Sequence, residues 1–453
     1  MTPPAAARSG RSVRSLALGI LVRVERDRAH AAPLLDARGR DLTPRDRDLL
    51  RAIVKRTLRG AIRLDHVLAR HLDRPIGRLD PAARSALRLG AAQLLLFDRI
   101  PKHAAVAETV EAIKEIAPRA AGLVNAVLRR VADGEERPGR VILPEGDPAS
   151  RRIALEFSHP EWLVRRWLAD LGEAATRAAL AADEADAPID LLADPRLGSV
   201  ETVRARLSEG GVETMASPWA PLALTVTAGE AARHPLVVSG ELAVVDAAAQ
   251  ATVEVLPAAG VAVDLAAAPG GKTRTLLARG LARRVVALER TASRATRLAS
   301  NLVAAGRRSE VLVARADATR PPLPRGRFAS VLLDAPCSGT GTLRKNPEVR
   351  LRLREEELRA FAAAQQALLL AGLSLLSPGG TLAYVTCSLE PEENEAVADT
   401  VLAQTPGFVR VVPDATRLPA PVAACLRPSG LVRVPPGATN DGFSVITIRR
   451  DAR

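Results

Sequence analysis

The most restrictive feature of the sequence is a change of hydrophobic periodicity along the chain. Before residue 134, apolar residues recur every three or four positions, as in "RDLLRAIVKRTLRGAIRLDHVLARHL" and "AARSALRLGAAQLLLF". This spacing is typical of amphipathic helices. After about residue 240, short apolar runs alternate with helical stretches, which is the pattern of a parallel, doubly wound sheet covered on both faces. The sequence therefore predicts a multidomain protein with an all-α part followed by an α/β part.

Changes of composition along the chain predict where the domains begin and end. We expect an all-helical domain over residues 1–133 and a polar linker, rich in Gly and Pro, over 134–150. Mixed short elements over 151–240 indicate a small intermediate module, and 241–453 carry the α/β pattern. A chain of 453 residues is long enough for two or three domains, each with its own core.

The positive charge is concentrated in the helical part. The chain has a net charge of +13, and residues 1–140 contain 28 Lys and Arg against 16 Asp and Glu, a net +12. A basic block on one module indicates a polyanion partner, most often nucleic acid. The alternative is an Arg-rich composition that only coats a solvated surface.

The sequence also predicts what the chain lacks. No stretch reaches 18 apolar residues without a charge, so we expect no membrane-spanning helix. No apolar core of a secretory signal follows the first residues. Three widely spaced cysteines cannot form a disulfide framework or a CxxC zinc site, so we expect no metal and a cytoplasmic location.

The ends of the predicted strands are the place to look for chemistry. Five strands are expected over residues 261–267, 283–289, 310–317, 328–335 and 380–388. In doubly wound sheets the ligand binds beyond the carboxyl ends of the strands.

Glycines and acids occupy the ends of the first four strands. Gly270 and Gly271 follow the first strand, where backbone amides can approach a ligand. Glu289, Asp317 and Asp334 end the next three. Acids in such places accept hydrogen bonds from ribose hydroxyls, which suits a nucleoside cofactor. For Glu289 the alternative is a salt bridge with one of the nearby arginines.

Two of the three cysteines also lie at strand ends. Cys337 follows Asp334 and Pro336 after the fourth strand, and Cys387 lies at the end of the fifth. A lone cysteine is usually a small buried hydrophobe, and we interpret Cys425 in that way. The positions of Cys337 and Cys387 beside the predicted crevice indicate a function.

Four motifs carry a family resemblance. They are "DLAAAPGGKT", "DAPCSGTG", "YVTCS" and "NDGFSV". In order and spacing these motifs resemble those of the RNA 5-methylcytosine methyltransferases that use S-adenosylmethionine. The segments "LRLGAAQLLLFDRIPKHAAVAETVEAIKE" and "GLVNAVLRR" are similar to the NusB-type domain of bacterial 16S rRNA methyltransferases of the RsmB/Sun family. "SHPEWLVRRW" is similar to that family's inter-domain segment.

The resemblance implies a fold and a reaction. The helical domain would be NusB-like and bind RNA, the intermediate module would bind RNA as well, and the α/β part would be a Rossmann-like methyltransferase domain. The reaction would be S-adenosylmethionine-dependent methylation of carbon 5 of a cytosine in RNA, with 16S rRNA as the substrate. A monomer without membrane contact is expected.

The resemblance also assigns residues. Cys387 would attack carbon 6 of the cytosine, Cys337 would assist release, and Asp334 would hydrogen-bond the ring. The cofactor would be bound by the glycine loop and the strand-end acids, namely Ala266, Ala267, Ala268, Pro269, Gly270, Gly271, Lys272, Glu289, Asp317 and Asp334. The chain departs from the family at Ala266, where Cys is usual, and at Glu289, where Asp is common. Arg344 and Lys345 either contact phosphate or lie on a surface loop.

Two other functions stay open at this point. A DNA cytosine-5 methyltransferase would also use a Pro-Cys motif, but with that cysteine as the nucleophile. A non-catalytic RNA-binding or antitermination factor could rest on the NusB-like domain alone, and it would bind no cofactor.

Overall fold

The computed structural model describes residues 12–135 and 146–452, which form two compact units. The helical unit comprises the described residues up to Glu184, together with Leu343–Leu353. The α/β unit comprises Ala185–Thr342 and the described residues from Arg354 onward. Residues 136–145, the greater part of the expected linker, lie outside the described residues.

The helical unit begins with eight helices in the described chain before Ala185. They are α1 Val13–Arg26, α2 Ala31–Gly39, α3 Pro44–Ala69, α4 Pro81–Leu95, α5 Lys102–Ile116, α6 Ala121–Asp133, α7 Ala149–Glu156 and α8 Glu161–Glu184. Local chemistry explains their starts. The Thr43 hydroxyl accepts the Asp46 amide at 3.2 Å, and Asp80 accepts the Ala82 amide at 2.8 Å. Each of these N-caps precedes a proline, which fits the first turn because it has no amide to satisfy.

The core of this unit is formed by the apolar faces of α1 to α6. Small residues let the helices approach closely. A Cβ on Gly90 of α4 would lie 2.2 Å from the nearest methyl carbon of Leu128 in α6. The apolar residues that recur every three or four positions in the sequence are thus the ones that face this core.

A segment from far along the chain completes the helical unit. Leu343–Leu353 contains a short helix, numbered α14 in chain order, over Val349–Arg352. Arg350 is buried, and its guanidinium donates to a carboxylate oxygen of Glu184 at 2.8 Å and to the carbonyls of Arg59 at 3.2 Å and Asp183 at 3.1 Å. These contacts fix the segment against α3 and α8.

Asp183 is the second anchor of that segment. One of its carboxylate oxygens accepts the backbone amide of Arg344 at 3.2 Å, and the other lies 3.2 Å from Nε2 of His159. Asp183, His159 and Arg344 are all buried. Burial, reinforced by the charge of Arg350, lowers the pKa of His159, so the imidazole is neutral. The expectation of a surface loop therefore does not hold for Arg344.

A four-stranded antiparallel sheet begins the α/β unit. Its strands are β1 Asp190–Leu192, β2 Glu213–Ala216, β3 Ala223–Ala228 and β4 Ala243–Val244, in the order β2-β3-β1-β4, and α9 Val200–Glu209 precedes β2. The expected module over 151–240 is thus divided between the units, because α7 and α8 group with the helical unit.

The second sheet of the α/β unit has eight strands. They are β5 Ala259–Asp264, β6 Ala282–Glu289, β7 Val311–Arg315, β8 Phe328–Asp334, β9 Leu376–Thr386, β10 Phe408–Val411, β11 Leu431–Val434 and β12 Phe443–Arg450. The helices of this unit after α9 are α10 Pro235–Val238, α11 Ala247–Ala251, α12 Gly271–Ala278, α13 Ala292–Ala304, α15 Leu358–Leu375, α16 Glu395–Gln404 and α17 Ala420–Ala423.

The strand order locates the binding edge of this sheet. The order is β10-β12-β9-β8-β5-β6-β7, with β11 paired to β12, and β5 to β9 are parallel where they pair. From β5 the chain adds β6 and β7 on one side and β8 and β9 on the other. The order therefore reverses between β5 and β8, and ligands bind at the carboxyl ends of strands at such a point.

One stretch of the described chain, Glu355–Leu375, is long and apolar enough to cross a membrane. Core helices of globular proteins pass the same test. Here Leu369, Leu373 and Leu375 are buried in the core beneath the large sheet, and α15 packs on β8 and β9. Packing within the α/β unit therefore accounts for the buried third of this apolar stretch.

The anchoring of Leu343–Leu353 is tested by Arg350→Gln. Removing this cation leaves Glu184 with only the more distant Arg63, 3.6 Å away, and takes a donor from the carbonyls of Arg59, Ser158 and Asp183. We therefore expect the helical unit to lose about 3 kcal/mol of unfolding free energy. Urea unfolding followed by circular dichroism measures the change. Arg359→Gln, an exposed arginine of α15, is the control and should lose less than about 0.5 kcal/mol. Equal midpoints for the two variants would contradict the anchoring.

Candidate active site

The pairing of β8 with β9 brings the two cysteine loops together. Asp334 lies opposite Val385 in the parallel register. Cys337 is three residues beyond the first and Cys387 two residues beyond the second. Their sulfur atoms are 3.2 Å apart, and both residues are partly buried. The structure thus joins the two thiols that the sequence analysis selected, at the carboxyl edge of the sheet.

The loop after Cys337 is pinned by backbone contacts. The amide of Gly341 donates to the carbonyl of Cys387 at 2.9 Å, and the amide of Gly442 donates to the carbonyl of Gly341 at 2.7 Å. A Cβ on Gly341 would lie 2.5 Å from the Gly442 oxygen, so only glycine fits there. Gly339 has φ +77°, and its Cβ position is 4.0 Å from the Cys387 sulfur. The glycines of "DAPCSGTG" therefore set the distance between the loops.

Glu393 is a positioning residue that the sequence analysis missed. Its carboxylate is fully buried and accepts the Ser338 amide at 2.8 Å, the Ser338 hydroxyl, and the Gln365 amide group at 3.0 Å. Gln365 also donates to the Pro336 carbonyl at 2.9 Å. These bonds hold the residues on both sides of Cys337. The only signal in the sequence was an acid six residues after the second cysteine, in "TCSLEPEENE".

The two thiols have unequal acidity. The hydrogen bond from Cys337, then the positive charge of Lys272 and a hydrogen bond from Thr342, lower the pKa of Cys387 despite its burial and the nearby Asp334. The same shared hydrogen bond, burial, and the negative charges of Cys387 and Glu393 raise the pKa of Cys337 well above its usual value. Cys387 is therefore the more acidic thiol of the pair, and Cys337 is the less acidic one.

Lys272 and Asp334 form an ion pair beside the thiols. The ammonium of Lys272 is 2.7 Å from the Asp334 carboxylate and lies over the ring of Phe443, 5.2 Å from its centre. Burial disfavours the charged ammonium, but the negative charges of Asp334, Cys387 and Asp264 outweigh it and raise the pKa of Lys272. Lys272 is therefore a fixed cation, with an exposed fraction of 11%, whereas Asp334 is 36% exposed and can reach a ligand.

Asp264, at the end of β5, is a further acid that the sequence analysis passed over. One oxygen accepts the Thr273 hydroxyl at 2.6 Å, and the other is buried without a hydrogen-bond partner. Burial raises the pKa of Asp264 to about 6, against the hydrogen bond from Thr273. It is the first residue of "DLAAAPGGKT", so its place at a strand end was the available signal.

The glycine loop connects β5 to α12. Ala266 and Gly271 are partly exposed, Pro269 is exposed, and Ala267 and Ala268 are buried. Gly270 has φ +107°, and its Cβ position is 2.8 Å from a methyl carbon of Leu298, so a side chain there would be strained and crowded. The loop therefore presents its backbone at the start of α12.

The remaining two acids differ in their surroundings. Glu289, at the end of β6, is buried; one oxygen accepts the Thr291 amide at 2.8 Å and the other lies 3.3 Å from the exposed Arg294. The salt bridge foreseen as the alternative is thus present. Asp317 is exposed and lies two residues beyond β7, not at its end as expected. The amide and hydroxyl of Thr319 bond to Asp317 and lower its pKa.

Other sequence expectations concern metal and the third cysteine. Within residues 12–135 and 146–452, no group of three or more His, Cys, Asp or Glu side chains could hold a metal ion. Cys425 is partly buried against the core of the α/β unit, and burial raises its pKa.

Three family models match the chain. The NusB family matches residues 11–133, the ferredoxin-like domain of RsmF/B-like methyltransferases matches 159–232, and 16S rRNA methyltransferase RsmB/F matches 257–448. The matches follow the order of the domains expected from the sequence.

Curated relatives agree with these models. Ribosomal RNA small subunit methyltransferase B of Xanthomonas campestris is 36% identical over 370 residues, which cover 80% of each chain. The protein of the same name from Xylella fastidiosa is 34% identical over 412 residues, 90% of each chain. The chain belongs to the RsmB/F family of 16S rRNA methyltransferases.

Solved structures share the fold of this RsmB/F family member. The crystal structure of PH0851 matches with a TM-score of 0.80 and 23% identity, over 98% of this chain and 100% of the other. A methyltransferase homologue from Pyrococcus horikoshii matches with a TM-score of 0.55 and 24% identity, over 67% and 99%. The prediction of a NusB-like domain followed by a Rossmann-like methyltransferase domain is confirmed.

The unequal acidity of the thiols can be measured by alkylation. In a Cys425→Ser background we expect iodoacetamide to modify Cys387 before Cys337, because the thiolate is the reactive form. Lys272→Met removes a cation and should move the pH midpoint of Cys387 alkylation upward by about 1 pH unit. Arg294→Met is the matched control and should leave the midpoint unchanged. Faster modification of Cys337, by peptide mass spectrometry, would contradict the assignment.

The raised pKa of Asp264 has a consequence for stability. The folded protein binds this proton more tightly than the unfolded chain, so the contribution of Asp264 is complete below about pH 4 and is lost as the pH rises through about 6. The difference corresponds to about 3 kcal/mol. In urea unfolding from pH 4 to 7.5, we expect Asp264→Asn to lack this loss. Thr273→Val, which keeps the carboxyl, should retain it; parallel curves for wild type and Asp264→Asn would contradict the burial of a charge.

Proposed function

We propose that this chain methylates carbon 5 of a cytosine in 16S rRNA with S-adenosylmethionine, through a transient bond between Cys387 and carbon 6 of the base. The observation that carries the proposal is the pair of thiols 3.2 Å apart at the carboxyl edge of the sheet. Their surroundings lower the pKa of Cys387 and raise that of Cys337. Covalent catalysis of this kind needs one thiolate to form the bond and a second group to assist its cleavage.

The residues beside the thiols fit the cofactor. Asp264 has a buried oxygen that lacks a donor, and a ligand with an amino or hydroxyl group would satisfy it. Backbone amides at Gly270 and Gly271 and the carboxylate of Glu289 line the same edge, where a ribose would bind. The loop backbone would also contact the cofactor, at Ala266, Ala267, Ala268 and Pro269. When bound, S-adenosylmethionine supplies a methyl group on a sulfonium centre.

Four side chains of the protein, those of Cys387, Asp334, Lys272 and Cys337, carry out the other steps of the proposed reaction. The Cys387 thiolate adds to carbon 6 of the cytosine, which makes carbon 5 nucleophilic. Asp334 hydrogen-bonds the ring and favours protonation of its ring nitrogen, while Lys272 keeps the Asp334 carboxylate oriented. Once Cys387 is bonded to carbon 6, it no longer carries the charge or accepts the hydrogen bond that raise the pKa of Cys337, so Cys337 can release its proton to water. When carbon 5 carries both methyl group and hydrogen, the Cys337 thiolate removes that proton, directly or through water. The Cys387–carbon 6 bond then breaks and the thiolate is regenerated. Asp317 is exposed, so it would contact only the solvent-facing side of the cofactor.

The division of labour between the thiols is tested by trapping. Cys337→Ala cannot remove the carbon 5 proton, so an RNA–protein adduct should accumulate and appear as a slower band on a denaturing gel. Cys387→Ala should form no adduct and lose at least 1,000-fold in methyl transfer, on the order seen when a nucleophile is removed. Cys425→Ala is the control and should behave as wild type.

The alternatives predict different results. Adduct accumulation by Cys387→Ala, with none by Cys337→Ala, would favour the mechanism of a DNA cytosine-5 methyltransferase. A non-catalytic RNA-binding factor would show no heat of binding when S-adenosylmethionine is titrated in. Bisulfite sequencing of 16S rRNA methylated in vitro identifies the modified base. A monomeric state and a cytoplasmic location stay predictions from the sequence.

A further inference from the structure

The two cysteine loops are tied to each other on both sides of the thiols. Before the thiols, the amide of Ala335 donates to the carbonyl of Val385 at 2.8 Å. After them, the hydroxyl oxygens of Ser338 and Ser388, the residues that follow the two cysteines, lie 3.2 Å apart, within hydrogen-bond distance. Both loops belong to the α/β unit. Each thiol is therefore held between two points at which its own loop is attached to the other loop.

Thr340 strengthens the attachment after the thiols. Its hydroxyl oxygen lies 3.3 Å from that of Ser388 and accepts the Leu389 amide at 3.1 Å. Ser338, Thr340 and Ser388 are all buried. Moving the loops apart would leave these buried hydroxyls without partners, which is costly. The backbone therefore holds the two sulfurs within reach of each other.

The sulfurs are close enough to form a covalent bond after a small movement. They are 3.2 Å apart in the reduced protein. A disulfide bond is about 2.0 Å long, so the sulfurs have to approach by about 1.2 Å. A change of side-chain torsion angles can supply this movement while the backbone stays tied. Gly339 leaves space for it, because a Cβ on this residue would lie 4.0 Å from the Cys387 sulfur.

Small molecules can reach the pair of thiols. Cys337 and Cys387 are both partly exposed, and Pro336, which precedes Cys337, is exposed. The side chain of Asp334 beside them is 36% exposed. The thiols are therefore accessible at the carboxyl edge of the sheet to a molecule as small as hydrogen peroxide.

The unequal acidity of the thiols gives them different roles toward an oxidant. The hydrogen bond from Cys337 and the charge of Lys272 lower the pKa of Cys387, and the thiolate is the form that attacks a peroxide. Part of the rise in the pKa of Cys337 comes from the negative charge of Cys387. That charge disappears when Cys387 is oxidised to a neutral sulfenic acid. Cys337 then becomes more acidic at the moment when it is needed as the second nucleophile.

We propose that hydroperoxides oxidise Cys337 and Cys387 to an internal disulfide, and that this bond switches methyl transfer off until it is reduced. The Cys387 thiolate attacks one oxygen of hydrogen peroxide, the O–O bond breaks, hydroxide leaves and a sulfenic acid forms. The Cys337 sulfur then attacks the Cys387 sulfur and loses its proton, and the sulfenic hydroxyl leaves as water. Two electrons pass from the two sulfurs to the peroxide, which is reduced to two molecules of water. The effect on methyl transfer rests on the proposed function, whereas the formation of the bond does not.

The bond is detected by treating the reduced protein with hydrogen peroxide and mapping its peptides without a reductant. We expect a cross-linked peptide that contains Cys337 and Cys387, with a mass about 2 Da below the sum of the two free peptides. Cys425→Ser should form the same bond. Unchanged thiols, a sulfinic acid on Cys387, a disulfide that includes Cys425 or bonds only between chains would each overturn the proposal.

Two matched pairs of proteins test the roles of the thiols. Cys337→Ser keeps a hydrogen-bond donor beside Cys387 but lacks the second thiol, so Cys387 should gain about 32 Da as a sulfinic acid that dithiothreitol does not reduce. Full recovery of the Cys387 thiol in this variant would overturn the proposal. Lys272→Met should slow disulfide formation at pH 7 by about threefold or more, because Cys387 is then less ionised. Arg294→Met is its control, and equal rates for the two would overturn Cys387 as the attacking thiol.

Methyl transfer to a 16S rRNA fragment separates this proposal from the proposed function. The disulfide form should be at least about 100-fold less active than the reduced form and recover with dithiothreitol, because the bond consumes the nucleophile. Full activity of protein that carries the disulfide, or a loss that reduction does not reverse, would overturn the switch. If the reduced protein methylates RNA but forms no disulfide, this inference fails and the proposed function stands. If the disulfide forms but the reduced protein transfers no methyl group, the proposed function fails and the bond stands.

Discussion

The contact between the sulfurs of Cys337 and Cys387 is the interaction on which the candidate site depends. Two thiols 3.2 Å apart share one hydrogen bond, so they cannot ionise alike. The hydrogen bond from Cys337 lowers the pKa of Cys387 most, and the Lys272 ammonium adds to this effect. The charge of Glu393 contributes to raising the pKa of Cys337. A change of loop position by a few ångströms would remove both the shared bond and the asymmetry. The rest of the α/β unit can be understood as the set of constraints that prevents such a change.

Those constraints include buried charge, which is costly unless it is fully hydrogen-bonded. Glu393 meets the requirement, since its donors are the amide and hydroxyl of Ser338, which follows Cys337, and the side chain of Gln365 in α15. Asp264 meets it only in part, because one oxygen has a donor and the other has none. The Glu393 carboxylate is therefore a structural element of the loop, whereas Asp264 keeps one buried oxygen without a donor.

The fold and the thiols could be predicted from the sequence because they depend on local pattern. The alternation of apolar runs located β5 to β9, and strand ends located Cys337, Cys387, Asp334 and Glu289. β11 and the true end of β7 at Arg315 were missed, since short strands have weak signals. Glu393 and the placement of Leu343–Leu353 could not be found in this way. Each depends on side-chain contacts between residues far apart in the chain. The local spacing of apolar residues does not indicate such contacts.

The route of the chain after Cys337 links the two units covalently. Gly341 is fixed by the Cys387 and Gly442 loops, and two residues later the chain enters the helical unit, where Asp183 holds the Arg344 amide. It returns to the α/β unit at Arg354. A loop tied at both ends by buried contacts loses most of its freedom to move the thiol.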